Sequence, residues 1–195
     1  GVGASVVNAV TASLRVEVYR DGKMYHQEFA RGKRVTDLAS EPLDKENKDK
    51  TGTAITFVPD TEIFETVEYN FNDLTQRFKE MAYLNKGLEI HFRSDWHADL
   101  WPNNEVTYYF EGGISSFVRN LNNTRVVLHQ DPIYLEKQVD GTLVEVALQY
   151  NESFTEFVYS FANCINTVDG GTHVTGFRSA LTRVLNDYGR KQKLI

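Results

Sequence analysis

Five short stretches of this chain hold residues whose type and spacing could do chemistry. Gly1-Val2-Gly3 runs straight into the apolar pattern Val6, Val7 and Val10. Glycines ahead of a helix let backbone N–H groups approach a ligand with no Cβ in the way, and a helix start attracts phosphate. The same residues equally suit an ordinary glycine-rich turn before a packed helix. Gly52-Thr53 sets a hydroxyl beside a glycine, and Ile55, two residues on along a strand, faces the side that Thr53 faces. Read alone, this too is an ordinary strand entry. Asp169-Gly170-Gly171-Thr172-His173 is a polar loop ahead of a helix, with no paired acid or nucleophile assignable from spacing. Arg178 suits contact with phosphate and equally suits a solvated helix face. His91, Asp95, His97 and Asp99 are metal-ligating types, but they fall on a strand end and a loop whose spacing enforces no convergence, and they read as chance clustering.

The elements that must position these residues follow from periodicity. A helix is expected over residues 4–12. Leu14, Val16 and Val18 alternate with Arg15, Glu17 and Tyr19, the period of a half-buried strand. Asp21-Gly22 is a two-residue hairpin signal, with the returning strand over 23–29. Residues 40–52 are polar and lysine-rich and read as an exposed loop; 53–58 is a strand that Pro59 and Asp60 terminate. Next comes a helix capped by Asn72, carrying Leu74, Phe78, Met81 and Ala82 and stopped by Gly87. Strands over 88–93 and 107–110 are joined by a long loop, and Gly113 opens a short helix. A strand carrying Val144, Val146, Leu148 and Tyr150 follows the Asp140-Gly141 turn, and another is expected over 157–161. Phe177, Ala180, Leu181, Val184, Leu185 and Tyr188 mark an amphipathic helix, with Gly189 as its stop. Strands mixed with helices in this order make an α+β arrangement.

Composition sets the bounds. The chain has 195 residues, 41% hydrophobic and 25% charged, as ordinary globular proteins do. No apolar run approaches the roughly 20 residues that span a bilayer, and no export leader is evident, so a cytoplasmic location is expected. Cys164 is the single cysteine, which excludes an internal disulfide framework and a cysteine-based zinc site. Net charge is −6, which argues against a uniformly basic surface and leaves room for a local basic patch. Such a patch lies at the end of the chain, where Arg178, Arg183, Arg190, Lys191 and Lys193 face only Asp187. The absence of an initiator methionine before an immediate helix pattern gives the ends a cut look.

Three separated segments resemble the ATPase subunit of bacterial type IIA DNA topoisomerases. GVGASVVNAV at 1–10 resembles the end of the phosphate-binding loop of GHKL ATPases and the helix after it. TGTAITFVPD at 51–60 resembles the later Gly-Thr element of the same nucleotide pocket. INTVDGGTHVTGFRSALTRVLNDYG at 165–189 resembles a long, specific stretch of the second, transducer domain. FNDLTQRFKEMAYLNKGLEI and YYFEGGISSFV fit the same family, so the resemblance runs over essentially the whole chain, and it leans to gyrase over topoisomerase IV.

The resemblance implies that residues 1–60 are the tail of a GHKL ATPase sandwich. It makes 61–195 most of a transducer domain with a ribosomal-protein-S5-like fold. It implies nucleotide contacts at Gly1, Val2, Gly3, Gly52, Thr53 and Ile55, and a DNA-facing Arg178. ATP and Mg2+ would be the parent's cofactors, and DNA, gyrase A and a second copy of the ATPase chain its partners. By the family pattern the glutamate base, the magnesium asparagine and the adenine-reading aspartate lie upstream of Gly1, and the γ-phosphate-sensing loop lies downstream of Ile195. No catalytic residue and no metal ligand is therefore expected here, and the piece alone is expected to be inactive. The Asp169–His173 loop is expected to support and cap the helix that follows it. Two readings remain beside this one: the ATPase chain of a topoisomerase IV, and a non-catalytic scaffold that keeps the transducer fold.

Overall fold

A computed structural model describes residues 2–195. The chain divides into two compact units, Gly1–Tyr69 and Asn70–Ile195.

The first unit is one antiparallel sheet with a short helix on it. Helix α1 spans Gly3–Ala9, β1 Thr11–Arg20, β2 Lys23–Ala30, β3 Lys33–Arg34, β4 Ala39–Pro42 and β5 Gly52–Pro59. The strand order is β3-β2-β1-β5, with β4 pairing β2. The helix is shorter than its apolar pattern suggested, because Thr11 onward is drawn into β1. Its Thr11 side chain closes the junction by donating to the Asn8 carbonyl at 3.1 Å. Part of the expected loop over 40–52 is instead strand, since Ala39–Pro42 finds free backbone groups on β2. The Asp21-Gly22 turn has positive φ at both residues (54° and 70°), as a tight hairpin of twisted strands requires. In register, Leu14 lies between Phe29 and Phe57, and Val16 between Gln27 and Ile55. Paired residues share a face, so one face of the sheet is apolar. The other carries Arg15, Glu17, Tyr19, His26 and Glu28.

The far end of β5 is clasped. Asp60, almost wholly buried, receives the Arg31 guanidinium at 2.6 Å, and Arg31 also reaches Glu62 at 2.6 Å. The Asp60 amide donates to the Val10 carbonyl at 3.1 Å, and the Arg31 amide to that of Thr11 at 2.9 Å. These bonds hold the ends of α1 and β5 and the β2–β3 turn together. The Asp60 carboxyl is held below the ordinary carboxylate range, first by the Glu62 amide and then by Arg31, against the opposing effect of burial.

The second unit mixes hairpins with helices. Helix α2 spans Phe71–Leu84, β6 Glu89–Arg93 and β7 Glu105–Tyr109, with a 3₁₀ turn at Asp95–Leu100 between them. Helix α3 spans Ile114–Leu121, β8 Ile133–Val139, β9 Thr142–Leu148, β10 Phe161–Ala162, β11 Ile165–Asn166 and α4 Thr172–Lys191. Asn70, not Asn72, caps α2, its side chain accepting from the amides of Asn72 and Asp73. Helix α2 packs on β6 and β7, with Phe92 set between Phe71 and Phe78. The core is an aromatic stack: Tyr83 lies 3.6 Å from Phe110 and 5.1 Å from Phe117, centroid to centroid, and Phe117 meets Tyr159 edge-on at 5.4 Å. The strand expected over 157–161 reduces to Phe161–Ala162. Gly189 does not stop α4. It lies inside the helix, and the Leu194 amide folds back to its carbonyl at 2.8 Å.

Candidate functional site

In the first unit, Val2 stands at the N-cap of α1 in helical conformation, with no side-chain cap. The amides of Gly3, Ala4 and Ser5 therefore have no acceptor within the helix. A Cβ placed on Gly3 would meet nothing within 4 Å, and its backbone needs no left-handed conformation. Neither packing nor φ accounts for a glycine there. Gly1 lies outside the described residues.

Gly52 opens β5 with φ +140°, a conformation that favours glycine, and a Cβ there would also meet open space. Thr53 is exposed, and its hydroxyl makes no hydrogen bond among the described residues. Ile55 is 57% exposed. In register Thr53 pairs with Val18 and Ile55 with Val16, so all four side chains lie on the apolar face. At the Gly52 end, Tyr19 pairs with Gly52, and the Lys50 ammonium lies 3.9 Å from the centre of the Tyr19 ring. On the opposite face Glu17 accepts from Tyr19 at 2.7 Å and from Arg15 at 2.8 Å. The Tyr19 hydrogen bond and then Arg15 keep the Glu17 carboxylate charged to lower pH, and Glu17 in turn raises the Tyr19 hydroxyl pKa.

The structure thus places Gly3, Gly52, Thr53 and Ile55 around one sheet without bringing Gly3 into contact with the others. The clasp joins α1 to the Pro59 end of β5, whereas Thr53 lies at the other end, roughly 20 Å along the strand. Val16 and Val18 escaped the sequence reading as partners of this surface. Their alternation marked a buried face, but only the β1–β5 register sets them beside Thr53 and Ile55.

In the second unit, Arg178 rises from the second turn of α4 and donates to Glu156 at 2.6 Å, both side chains being more than half exposed. The loop before α4 supplies no side-chain cap. Instead the Thr167 hydroxyl lies 2.6 Å from that of Ser160 and 3.2 Å from His173 Nε2. A Cβ at Gly171 would come within 2.8 Å of the His173 ring, so glycine lets the imidazole fold back over the loop. His91 bonds Thr107 at 2.8 Å and pairs with Glu105, His97 bonds Ser94, and Asp95 pairs with Arg93. No three His, Cys, Asp or Glu gather as a metal site among the described residues. No described helix is long and apolar enough to cross a membrane.

Both units have counterparts among the ATPase regions of type IIA topoisomerases. The ATPase domain of Thermus thermophilus gyrase B, solved with an aminocoumarin, matches all of this chain with a TM-score of 0.85 and 35% identity, over 51% of its own length. The topoisomerase IV ATP-binding domain of Francisella tularensis matches 98% of the chain with a TM-score of 0.76 and 29% identity, over 50% of its length. In sequence, the gyrase B of Halalkalibacterium halodurans is 48% identical across the whole chain, and that of Bacillus mycoides 45%. A family model for DNA gyrase B matches residues 113–195. The fold is α+β, that of the ATPase chains of type IIA topoisomerases. Within that class, the chain matches DNA gyrase B proteins in sequence over its whole length. It spans 29% and 46% of the length of those two sequence relatives.

Proposed function

We propose that this chain serves within an ATP-dependent type IIA topoisomerase, DNA gyrase, that supercoils DNA by double-strand passage. It supplies part of the ATP pocket and the domain that couples nucleotide binding to movement of the DNA gates. The observation that carries this reading is the 48% identity to a gyrase B maintained over the whole chain. Residues 1–60 are assigned to the end of the GHKL ATPase domain and 61–195 to the transducer. The partners are DNA, gyrase A and a second copy of gyrase B, and the location is the cytoplasm.

ATP supplies the phosphoanhydride bond whose hydrolysis drives the cycle. The amides of Gly3 and its neighbours, which have no acceptor among the described residues, would donate to phosphate oxygens, where glycine lets the ligand approach and the helix start favours negative charge. Gly1 and Val2 are assigned to the same phosphate contact. The unpartnered Thr53 hydroxyl would bond the edge of the base, directly or through water. Ile55 would wall the base on the apolar face, with Gly52 opening the strand at this end. Magnesium would be held by the nucleotide and by groups other than these. Arg178 would face DNA.

Calorimetric titration with a non-hydrolysable ATP analogue and magnesium tests the assignment. The 195-residue chain would be compared with a form extended upstream to the length of the relatives' ATPase domains. Binding by the extended form alone, with no turnover by the short one, is the expected result. Tight binding by the short chain would overturn the split pocket.

A further inference from the structure

Among the charged groups of the second unit, one contact stands apart. Helix α4 carries Arg178, Arg183, Arg190 and Lys191, and Arg178 is the one of these engaged by a carboxylate among the described residues. Its partner Glu156 comes from the segment between β9 and β10. That segment is held against the start of α4: the Thr167 amide donates to the Ser160 carbonyl at 2.8 Å, the two hydroxyls meet at 2.6 Å, and Thr167 reaches His173. Glu156 lies four residues before this knot and Arg178 five residues after His173. The pair therefore joins two segments that this knot already brings near each other.

We propose that Glu156 is a built-in competitor for Arg178, occupying its guanidinium until a DNA phosphate displaces it. The inference rests on the reading that Arg178 faces DNA, and it adds a residue that sets how readily that contact forms. Carboxylate and phosphate oxygens accept from the same guanidinium N–H groups. The Glu156 oxygen sits on Nη2, and both partners are solvent-accessible, so a phosphate that takes that N–H displaces the carboxylate, and one that takes the remaining N–H donors meets its negative charge. An exposed ion pair is weak enough to yield to a polyanion yet strong enough to lower its affinity. The neighbouring basic residues need no such release. Glu156 would thus make the Arg178 contact conditional, favouring a duplex held in place by other groups over any passing phosphate.

The test is a two-residue cycle on the whole chain. Binding of a fluorescein-labelled duplex of about 20 base pairs would be followed by anisotropy at about 50 mM salt and above, where phosphate contacts are strongly salt-dependent. Glu156→Gln should tighten binding by about two- to fivefold, the range an exposed ion pair spans. Arg178→Ala should weaken it and flatten the dependence of log affinity on log salt by about one unit. Adding Glu156→Gln to Arg178→Ala should then change nothing. If Arg178→Ala weakens binding but Glu156→Gln does not tighten it, competition is overturned and the DNA-facing reading stands. If Glu156→Gln tightens binding equally without Arg178, the effect is long-range charge and the competition is again overturned. If Arg178→Ala leaves binding unchanged, the DNA-facing reading fails and the proposal goes with it.

Discussion

Substitution of Gly3 by alanine should separate stability from nucleotide binding, because the structure gives this glycine no work inside the fold. Its φ is not in the left-handed region, and an added Cβ would meet no heavy atom within 4 Å. Alanine therefore brings no clash, and it removes backbone freedom from the unfolded chain. Gly-to-Ala exchange in a helix stabilises by roughly 0.5–1 kcal/mol, and the first helical position puts this case at the low end. In a unit of this size that is a rise in Tm of roughly 2–4 °C. Nucleotide binding should move the other way. A methyl group beside the amides of Gly3, Ala4 and Ser5, the proposed phosphate donors, would block a phosphate oxygen from one charge-assisted hydrogen bond. Such a bond contributes about 1.5–3 kcal/mol, a loss of roughly 10- to 150-fold in affinity. Thermal unfolding by circular dichroism and calorimetric titration of the upstream-extended form read the two effects. Unchanged affinity would refute the phosphate assignment at Gly3. A fall in Tm would refute the open space the geometry assigns to it.

Three other perturbations address the two units separately. Phe117→Ala removes a buried ring that contacts both Tyr83 and Tyr159, and should cost about 3–5 kcal/mol. Trp96 and Trp101 both lie in the second unit, so tryptophan fluorescence on denaturant titration should show that loss, and a cost below about 1 kcal/mol would mean the stack is not the core. Asn70→Ala deletes the cap that accepts from two amides of α2, and should cost about 1 kcal/mol, with Asn70→Gly costing only a few tenths. The same titration reads both variants, and equal losses would remove the cap from the account. Asp60 has a folded pKa below its unfolded value. Its stabilisation is fully present above about pH 5 and is lost as pH falls through the ordinary aspartate value near about 3.9 toward the lower folded one. Hydrogen exchange of β1 and β5 amides should therefore show a gap in protection between the parent chain and Asp60→Asn that is constant near neutrality and closes in acid. A gap that widened on acidification would reverse the sign and sink the assignment.

What the sequence disclosed and what it withheld divide along a physical line. Leu14, Val16 and Val18 announced β1, and Asp21-Gly22 its turn, because a two-residue period and a positive φ are local properties. The strand Ala39–Pro42 gave no such notice. Nothing in its residues favours extension until β2 offers an edge to pair with. Gly189 misled for a related reason: glycine near a helix end commonly marks a stop, but here a Cβ would come within 2.9 Å of the Ile195 side chain. The glycine makes room for the chain returning over the helix. Arg31 and Asp60 are 29 positions apart, and Glu156 and Arg178 are 22. No periodicity encodes a pair of that kind. The candidate nucleotide elements are the limiting case. As proposed contacts, Gly3 and Gly52 would act through atoms they lack, and a missing Cβ leaves no hydrophobic period, no charge and no hydrogen bond to read. Only a recurring pattern in related chains pointed to them, and only the empty space beside each, with the unpartnered Thr53 hydroxyl, gives that pattern a physical form that substitution can test.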